Sequence, residues 1–199
     1  MRLTEWIRLL INLPLYLPHL LVWRIVRQPR FDGDLSRWLE VMPQPLAGKA
    51  RWAGLLGLLI KHREFRNLFA YRHGKLGKLV SWWTRDEATL FIDTADIGPG
   101  LFIQHGFATI ITARSIGHHC WINQQVTIGF ASGKGCPTIG NHVTISAGAK
   151  VLGGVHVGDH AVIGANAVVT KDVPAHATVV GAPARVVRLH GVRVTEPSA

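Results

Sequence analysis

Cysteine is scarce in this chain: there are two, Cys120 and Cys136, in 199 residues. That is too few for a disulfide scaffold, and neither sits in a C-x-x-C pair of the metal-binding or redox kind. The usage implies a reducing compartment, the cytoplasm or the inner face of its membrane. Long apolar runs are missing as well. The best candidate, Leu9 to Trp23, is interrupted by Asn12 and His19. It is shorter than the ~20 residues a spanning helix needs, and Pro14 and Pro18 are expected to kink it. The start is basic but lacks a small-residue cleavage site, so no signal peptide is read there. Acidic residues are few, 12 against 22 Lys and Arg, which leaves a formal +10.

The positive excess is uneven. Residues 1–88 carry 15 Lys/Arg and 7 Asp/Glu, a balance of +8; residues 89–199 carry 7 and 5, a balance of +2. Such a field favours an anionic partner. Aromatics interleave with the basic residues (Trp23, Trp38, Trp52, Phe65, Phe69), yet no nucleic-acid-binding module is recognisable and nucleic acid is not an expected partner. Two readings of residues 1–30 remain open. They are a buried segment packed on the rest of the protein, or they lie at a membrane surface with Arg2, Arg8, Arg24, Arg27 and Arg30 near lipid headgroups.

What the chain does have is two regimes of periodicity that meet near residue 88. Nearly half the residues are hydrophobic, so both can bury a core. Before the boundary the period is helical: Trp52, Leu55, Leu56 and Leu59 fall on one face, and Phe65, Leu68 and Phe69 continue it. Gly74 is a candidate helix stop, and Asp34 a candidate N-cap for a helix through Leu35, Trp38 and Leu39. After the boundary the period is six. Ile97 and Ile103 are followed by Ile110, one residue late. Then come Ile116, Ile122, Ile128 and, after a longer gap, Ile139, Ile145, Val151, Val157, Ile163 and Val169. Glycine follows many of them. Twelve β-branched aliphatics at this spacing specify a solenoid. Three hexads make one triangular coil, with one aliphatic residue per side pointing inward and small residues at the corners. The expected columns are Ile97–Ile116–Ile139–Val157, Ile103–Ile122–Ile145–Ile163 and Ile110–Ile128–Val151–Val169. The stretch GFASGKGCPT, residues 129–138, should leave the coil as a loop. The expected organisation is a helical basic region 1–88, a β-helix 89–189 and a tail 190–199.

The segments GPGLFIQHG (98–106), IGHHCWINQQVTIG (116–129), TIGNHVTISAGAKVLGGVHVGDHAVIGANAVVTKDVP (138–174) and VVGAPARVV (179–187) resemble the hexapeptide-repeat acyltransferases. The likeness is greatest to the serine acetyltransferase branch and the related O-acetyltransferases of surface polysaccharides. The resemblance implies a mainly β fold, a left-handed parallel β-helix behind a helical N-terminal region, against the usual right-handed crossover. It also implies trimers, or dimers of trimers, with active sites between neighbouring subunits, and acetyl-CoA as acyl donor. It places a catalytic histidine at His105.

Column arithmetic supports that position independently. His105 lies two residues past Ile103, and its equivalents in later coils are Gln124, Ala147 and Ala165. Small residues, with Gly148 and Gly164 beside them, leave a strip on which a long thin cofactor can lie. The expected acyl-CoA contacts are Gln124, Gly129, Ala147, Gly148, Ala165, Lys171 and Arg185, with Lys150 and Arg188 as further candidate cations. Backbone N–H groups near Gly129 are candidate oxyanion donors. A histidine titrating near neutrality can take the acceptor's proton and return it to the leaving thiolate, so direct attack is expected. A nucleophilic cysteine would need an adjacent base.

The sequence departs from the branch at the acceptor end. The aspartate that orients the histidine aligns with Leu90, and Asp93 is the preferred substitute over Asp96. The acid just before the histidine is replaced by Gln104, and an Arg-His pair of the loop by Gly135 and Cys136. Gln104 and Cys136 thus become the expected acceptor contacts, and an uncharged sugar hydroxyl is preferred over L-serine. A zinc enzyme of the γ-carbonic-anhydrase type and a non-catalytic trimeric scaffold are the competing readings. No metal site is expected.

Overall fold

The computed structural model describes residues 3–44, 50–131, 133 and 135–194. The chain divides into two compact units, Met1–Ala88 and Thr89–Ala199.

The first unit is helical: α1 (Leu3–Ile25), α2 (Pro29–Val41), α3 (Arg51–Lys61) and α4 (Arg63–Ser81). Its core is aromatic and leucine-rich. Phe31, Leu35 and Trp38 of α2 meet Leu55 and Leu59 of α3 and Phe65 and Phe69 of α4, all fully buried. Phe31 packs edge-on to Phe69, ring centroids 5.2 Å apart, the offset that aromatic quadrupoles favour.

Pro14 and Pro18 lie inside α1, which continues through both. Pro14 is exposed, so the carbonyl its missing N–H leaves unpaired, that of exposed Leu10, faces outward where water can serve it. Asp34 is not a cap. α2 begins five residues earlier, with proline in the first turn, and Asp34 is buried inside it. Its carboxylate accepts two hydrogen bonds from Arg72, at 2.7 and 3.3 Å, the bidentate geometry that makes burial of a charge tolerable. Gly74 interrupts rather than stops: at φ 58° it kinks α4, which resumes to Ser81.

The second unit is a solenoid of short strands: β1 (Leu90–Ile92), β2 (Phe102–Ile103), β3 (Thr109–Ile111), β4 (Ser115–Ile116), β5 (Trp121–Ile122), β6 (Thr127–Gly129), β7 (Thr138–Ile139), β8 (Thr144–Ile145), β9 (Lys150–Leu152), β10 (His156–Val157), β11 (Val162–Ile163) and β12 (Val168–Val169). The strands stack into three parallel sheets, β1-β3-β6-β9-β12, β4-β7-β10 and β2-β5-β8-β11. This architecture fits a left-handed parallel β-helix of about five coils. The cap is a hairpin of β13 (Ala177–Val180), β14 (Arg185–Leu189) and β15 (Val192–Arg193), antiparallel within itself. Residues 190–194, expected as tail, therefore belong to this hairpin.

Register confirms two inward columns and corrects the third. Ile103, Ile122, Ile145 and Ile163 pair in succession, as do Ile97, Ile116, Ile139 and Val157. In the third column the residue paired with Ile128 is Ile111, not Ile110; Ile110 is 42% exposed and Ile111 fully buried. Ile103 to Ile111 thus spans eight residues where Ile122 to Ile128 spans six. The extra length lies in the turn that carries His105. Glycine is forced at the tightest corners: a Cβ on Gly117 would lie 2.6 Å from the backbone of Gly140 in the next coil.

Candidate active site

The turn after β2 is unlike its counterparts. His105 is exposed and takes φ 66°, Gly106 φ 68° and Ala108 φ 52°. The Gly106 N–H donates to the Gln104 carbonyl at 2.9 Å. A side chain other than glycine at positive φ costs energy, and such strain concentrates at functional positions. Gln104 is half-buried and its Oε1 accepts a hydrogen bond from Trp121 Nε1 at 3.2 Å. This anchors the residue next to the histidine through the coil above it.

The strip expected beyond His105 is present. The Gly148 N–H donates to the Gln124 carbonyl (3.1 Å), and the Asn166 N–H to that of Ala147 (2.9 Å). Gln124, Ala147 and Ala165 therefore stand at successive coils along one corner; in the first coil the matching bond runs from the Gln125 N–H to the Phe107 carbonyl (2.9 Å), two residues past His105 in the same longer turn. Gly148 has φ 75°, and a Cβ there would lie 2.0 Å from Asn166 Oδ1. The low relief of the strip is built in. Lys171 and Arg185 come together in a cleft of about 450 Å³ at the C-terminal end of the solenoid, with Asp172, Pro183 and Val186 also in its walls. Lys150 is used otherwise: its ammonium donates to the carbonyls of Gln125 (2.6 Å) and Gly148 (3.0 Å) at a corner.

Other expected site residues are not brought to His105. Asp93 lies just past β1, and its N–H donates to the Ile111 carbonyl. That places it at the far end of the coil side whose near end holds His105. Among the described residues no hydrogen bond or ion pair joins the two. Gly129 closes β6, and the 130–137 loop leaves from there, pinched by an antiparallel bridge between Ala131 and Gly135. Gly129 and Cys136 thus stand beyond the far ends of the strands that the His105–Ala165 strip precedes. Phe130, in this loop, is largely exposed. Cys120 is no nucleophile. Burial pushes its thiol up to about 11, and its Sγ lies 3.1 Å from the Gly140 carbonyl.

One feature escaped the period-six reading because it follows from side chains rather than spacing. His119, His142, His160, His176 and His190 all take positive φ and stack ring on ring, with centroids 5.3, 4.7, 4.8 and 5.0 Å apart. This ladder runs along a different corner from His105. Among the described residues no group of three His, Cys, Asp or Glu side chains is placed to hold a metal ion.

A three-sided parallel solenoid with a histidine in a strained outer turn and a small-residue strip leading from it defines the hexapeptide-repeat transferase class. Residues 136–171 match the bacterial transferase hexapeptide (six repeats) family. The serine acetyltransferase of Synechococcus elongatus is 42% identical over 141 residues, 68% of this chain and 58% of that one. That of Helicobacter pylori is 39% identical over 165 residues, 77% of this chain and 96% of the relative. Among solved structures, the serine acetyltransferase of Brucella abortus in complex with coenzyme A superposes with a TM-score of 0.53 at 26% identity, covering 79% of this chain and 66% of the other. The chain belongs to the serine acetyltransferase-like branch of the hexapeptide-repeat acyltransferases. It spans a little under two thirds of the Synechococcus and Brucella proteins.

Proposed function

We propose that the protein is an acetyl-CoA-dependent O-acetyltransferase in which His105 is the general base for direct attack of an acceptor hydroxyl on the thioester. The observation that carries this reading is the corner strip. It starts at His105, itself at positive φ, and continues through Gln124, Ala147 and Ala165 toward the cleft of Lys171 and Arg185. Coils repeat at roughly 4.8 Å, so the strip offers on the order of 15–20 Å, the reach of a pantetheine arm. With the thioester at His105, the nucleotide phosphates fall toward the two cations. His105 takes the hydroxyl proton as the oxygen attacks the acetyl carbon, and the tetrahedral intermediate collapses as the same proton passes to the departing thiolate.

In a single chain the acceptor end is unfinished, because Gly129 and Cys136 lie away from His105. A homotrimer supplies the missing wall, the 130–137 loop of a neighbour facing the strip. A backbone N–H near Gly129 of that neighbour is then available to the oxyanion.

The relatives favour L-serine as acceptor over the sugar hydroxyl that the residue types suggested. One observation keeps an uncharged polyol as the second reading. The position before the histidine is Gln104, its oxygen already committed to Trp121. Its neutral amide can donate to a hydroxyl but offers no negative charge to an ammonium group.

Thiol release from acetyl-CoA is the test, with L-serine, monosaccharides, nucleotide sugars and a polysaccharide extract as acceptors, beside His105→Ala. Acceptor-driven release that the variant loses by roughly 10²–10⁴-fold supports the reading. A wild type inert with every acceptor and unable to bind acetyl-CoA sinks it in favour of a trimeric scaffold. Gln104→Asp separates the acceptors: it should lower KM for serine if serine is native and raise KM for a sugar if a polyol is.

A further inference from the structure

α1 is amphipathic in the inverted sense. Its packed face carries Tyr16 and His19, while Ile7, Leu10, Ile11, Leu17, Leu21 and Ile25 are exposed, Ile11 and Ile25 by about three quarters. At 100° per residue these positions fall within about 120° of the helix circumference, so they form one apolar stripe from Ile7 to Ile25, roughly 27 Å at 1.5 Å per residue. An exposed stripe of that length requires a partner.

The surroundings say which partner. Arg8 and Arg24 border the stripe, and both are exposed. At its C-terminal end, Arg24, Arg27 and Arg51 line a cleft of about 370 Å³ with Trp23 and Asp32. Trp83 lies against α1, its indole N–H donating to the Leu15 carbonyl at 3.3 Å. Its neighbour Trp82 is 84% exposed. The outer face of α4 continues the pattern with exposed Lys75, Leu76, Lys78 and Leu79. Indoles, apolar side chains and cations in alternation suit the boundary between headgroups and acyl chains, whereas the centre of a protein–protein interface is depleted in lysine. The unit's formal balance of +8 complements an anionic leaflet. No described helix is long and apolar enough to cross a membrane, which leaves a helix lying in the plane of the interface.

We propose that the helical unit docks on an anionic lipid bilayer, with the outer stripe of α1 and the Trp82–Trp83 pair immersed at the headgroup boundary and the Arg24–Arg27–Arg51 cleft holding a lipid phosphate. The acetyl-transfer site would then work at a membrane surface, on acceptors made or carried there.

Flotation of the full chain tests this, using vesicles of phosphatidylcholine alone and with about 30 mol% phosphatidylglycerol, in about 0.1 M salt where surface charges still act over about 10 Å. The wild type should float with the anionic vesicles, with a blue-shifted tryptophan emission, and only weakly with the neutral ones. Ile11→Asp/Leu21→Asp should cut partitioning by roughly tenfold or more on both compositions, and Arg24→Glu/Arg27→Glu by roughly tenfold on the anionic vesicles alone. Circular dichroism and thiol-release activity, which these exposed positions do not serve, report that the variants are folded. A wild type that floats with neither composition overturns the proposal. So do variants that float as well as wild type, or an Ile11/Leu21 pair whose sole effect is a smaller oligomer, which would make the stripe an interface between copies.

Discussion

The strain at His105 can be separated from its chemistry by two substitutions that differ in one methyl group. Holding φ at 66° costs a residue with a Cβ about 1–2 kcal/mol. The equivalent residues Gln124, Ala147 and Ala165 are not among those at positive φ, while their successors Gln125, Gly148 and Asn166 are, so what is particular to this turn is that the histidine itself takes the left-handed conformation. The ring is exposed, so deleting it forfeits little burial. His105→Ala and His105→Gly both remove the imidazole. Glycine escapes the left-handed penalty but has more unfolded-state freedom to lose, about 0.4–1 kcal/mol. The glycine variant should therefore be the more stable of the two by about 0.5–1 kcal/mol, read from urea midpoints at the β-sheet band of the circular dichroism spectrum. Both should lose roughly 10²–10⁴ in kcat/KM for thiol release. Equal stability, or an alanine variant above the glycine variant, would show that the turn stores no strain. Retention of activity within about tenfold in both would remove His105 from the proton-transfer role.

Three further outcomes follow from the same geometry. Ala165→Trp places a ring across an exposed step of the strip and should raise KM for acetyl-CoA at least tenfold while shifting stability by less than about 0.5 kcal/mol; unchanged KM would move the cofactor off this corner. Gly148→Ala forces a Cβ onto φ 75° and against Asn166, so it should cost about 1–2 kcal/mol and weaken acetyl-CoA binding in calorimetry, and a neutral effect on both would refute the close approach. Burial first, then the like charges of Arg66 and His73, lower the His19 pKa from 6.5 to about 4, so its contribution to stability is complete above pH 6.5 and falls away by about 3 kcal/mol as pH drops toward 4. Asp86 acts oppositely: burial outweighs its 3.7 Å pairing with Arg66 and raises it to about 6. The informative quantity is therefore the wild-type minus His19→Gln difference in urea midpoint, followed by tryptophan fluorescence from pH 7 to 4.5, and a pH-independent difference would refute the assignment.

The solenoid was legible because its core is one-dimensional. Each inward aliphatic residue repeats at a fixed step, so a column can be counted without knowing where it points. The count slipped where the chain left the period. Ile110 and Ile111 are adjacent and chemically alike, and only the pairing of Ile111 with Ile128 shows which one turns inward. The count also put His105 on a corner, in a turn that proves two residues longer than the later ones. Within one chain Asp93 lies at the other end of the coil side from His105; proximity in sequence to the family position says nothing about which end of a coil side a residue occupies. In the helical unit, hydrophobic spacing found α3 and the start of α4, but not the buried Asp34–Arg72 pair. A carboxylate at that position reads equally well as a cap until its partner, 38 residues away, is seen. The imidazole ladder was hidden for the same reason: five histidines at irregular intervals become equivalent only once the insertion at 130–137 is known to leave the coil.

The same geometry explains why family membership leaves the acceptor open. Inward residues are fixed by packing, since a solenoid core tolerates little but β-branched aliphatics. Under the proposed function, the strip residues are held by the cofactor's need for a low surface, which Gly148 and its neighbours meet. Neither constraint reaches the residues that would touch an acceptor. Those residues sit in the eight-residue turn and in the 130–137 loop, the two places where the chain steps out of the repeat. Both can change sequence without disturbing a single column, and it is there that this chain carries Gln104, Gly135 and Cys136. A scaffold that keeps its core and the proposed donor strip on its regular part, and the acceptor contacts on its irregular part, can change acceptor while keeping its fold and donor; His105 shares the irregular turn with Gln104. Acceptor specificity in this protein should therefore respond to substitutions in those two segments and be indifferent to conservative ones in the columns.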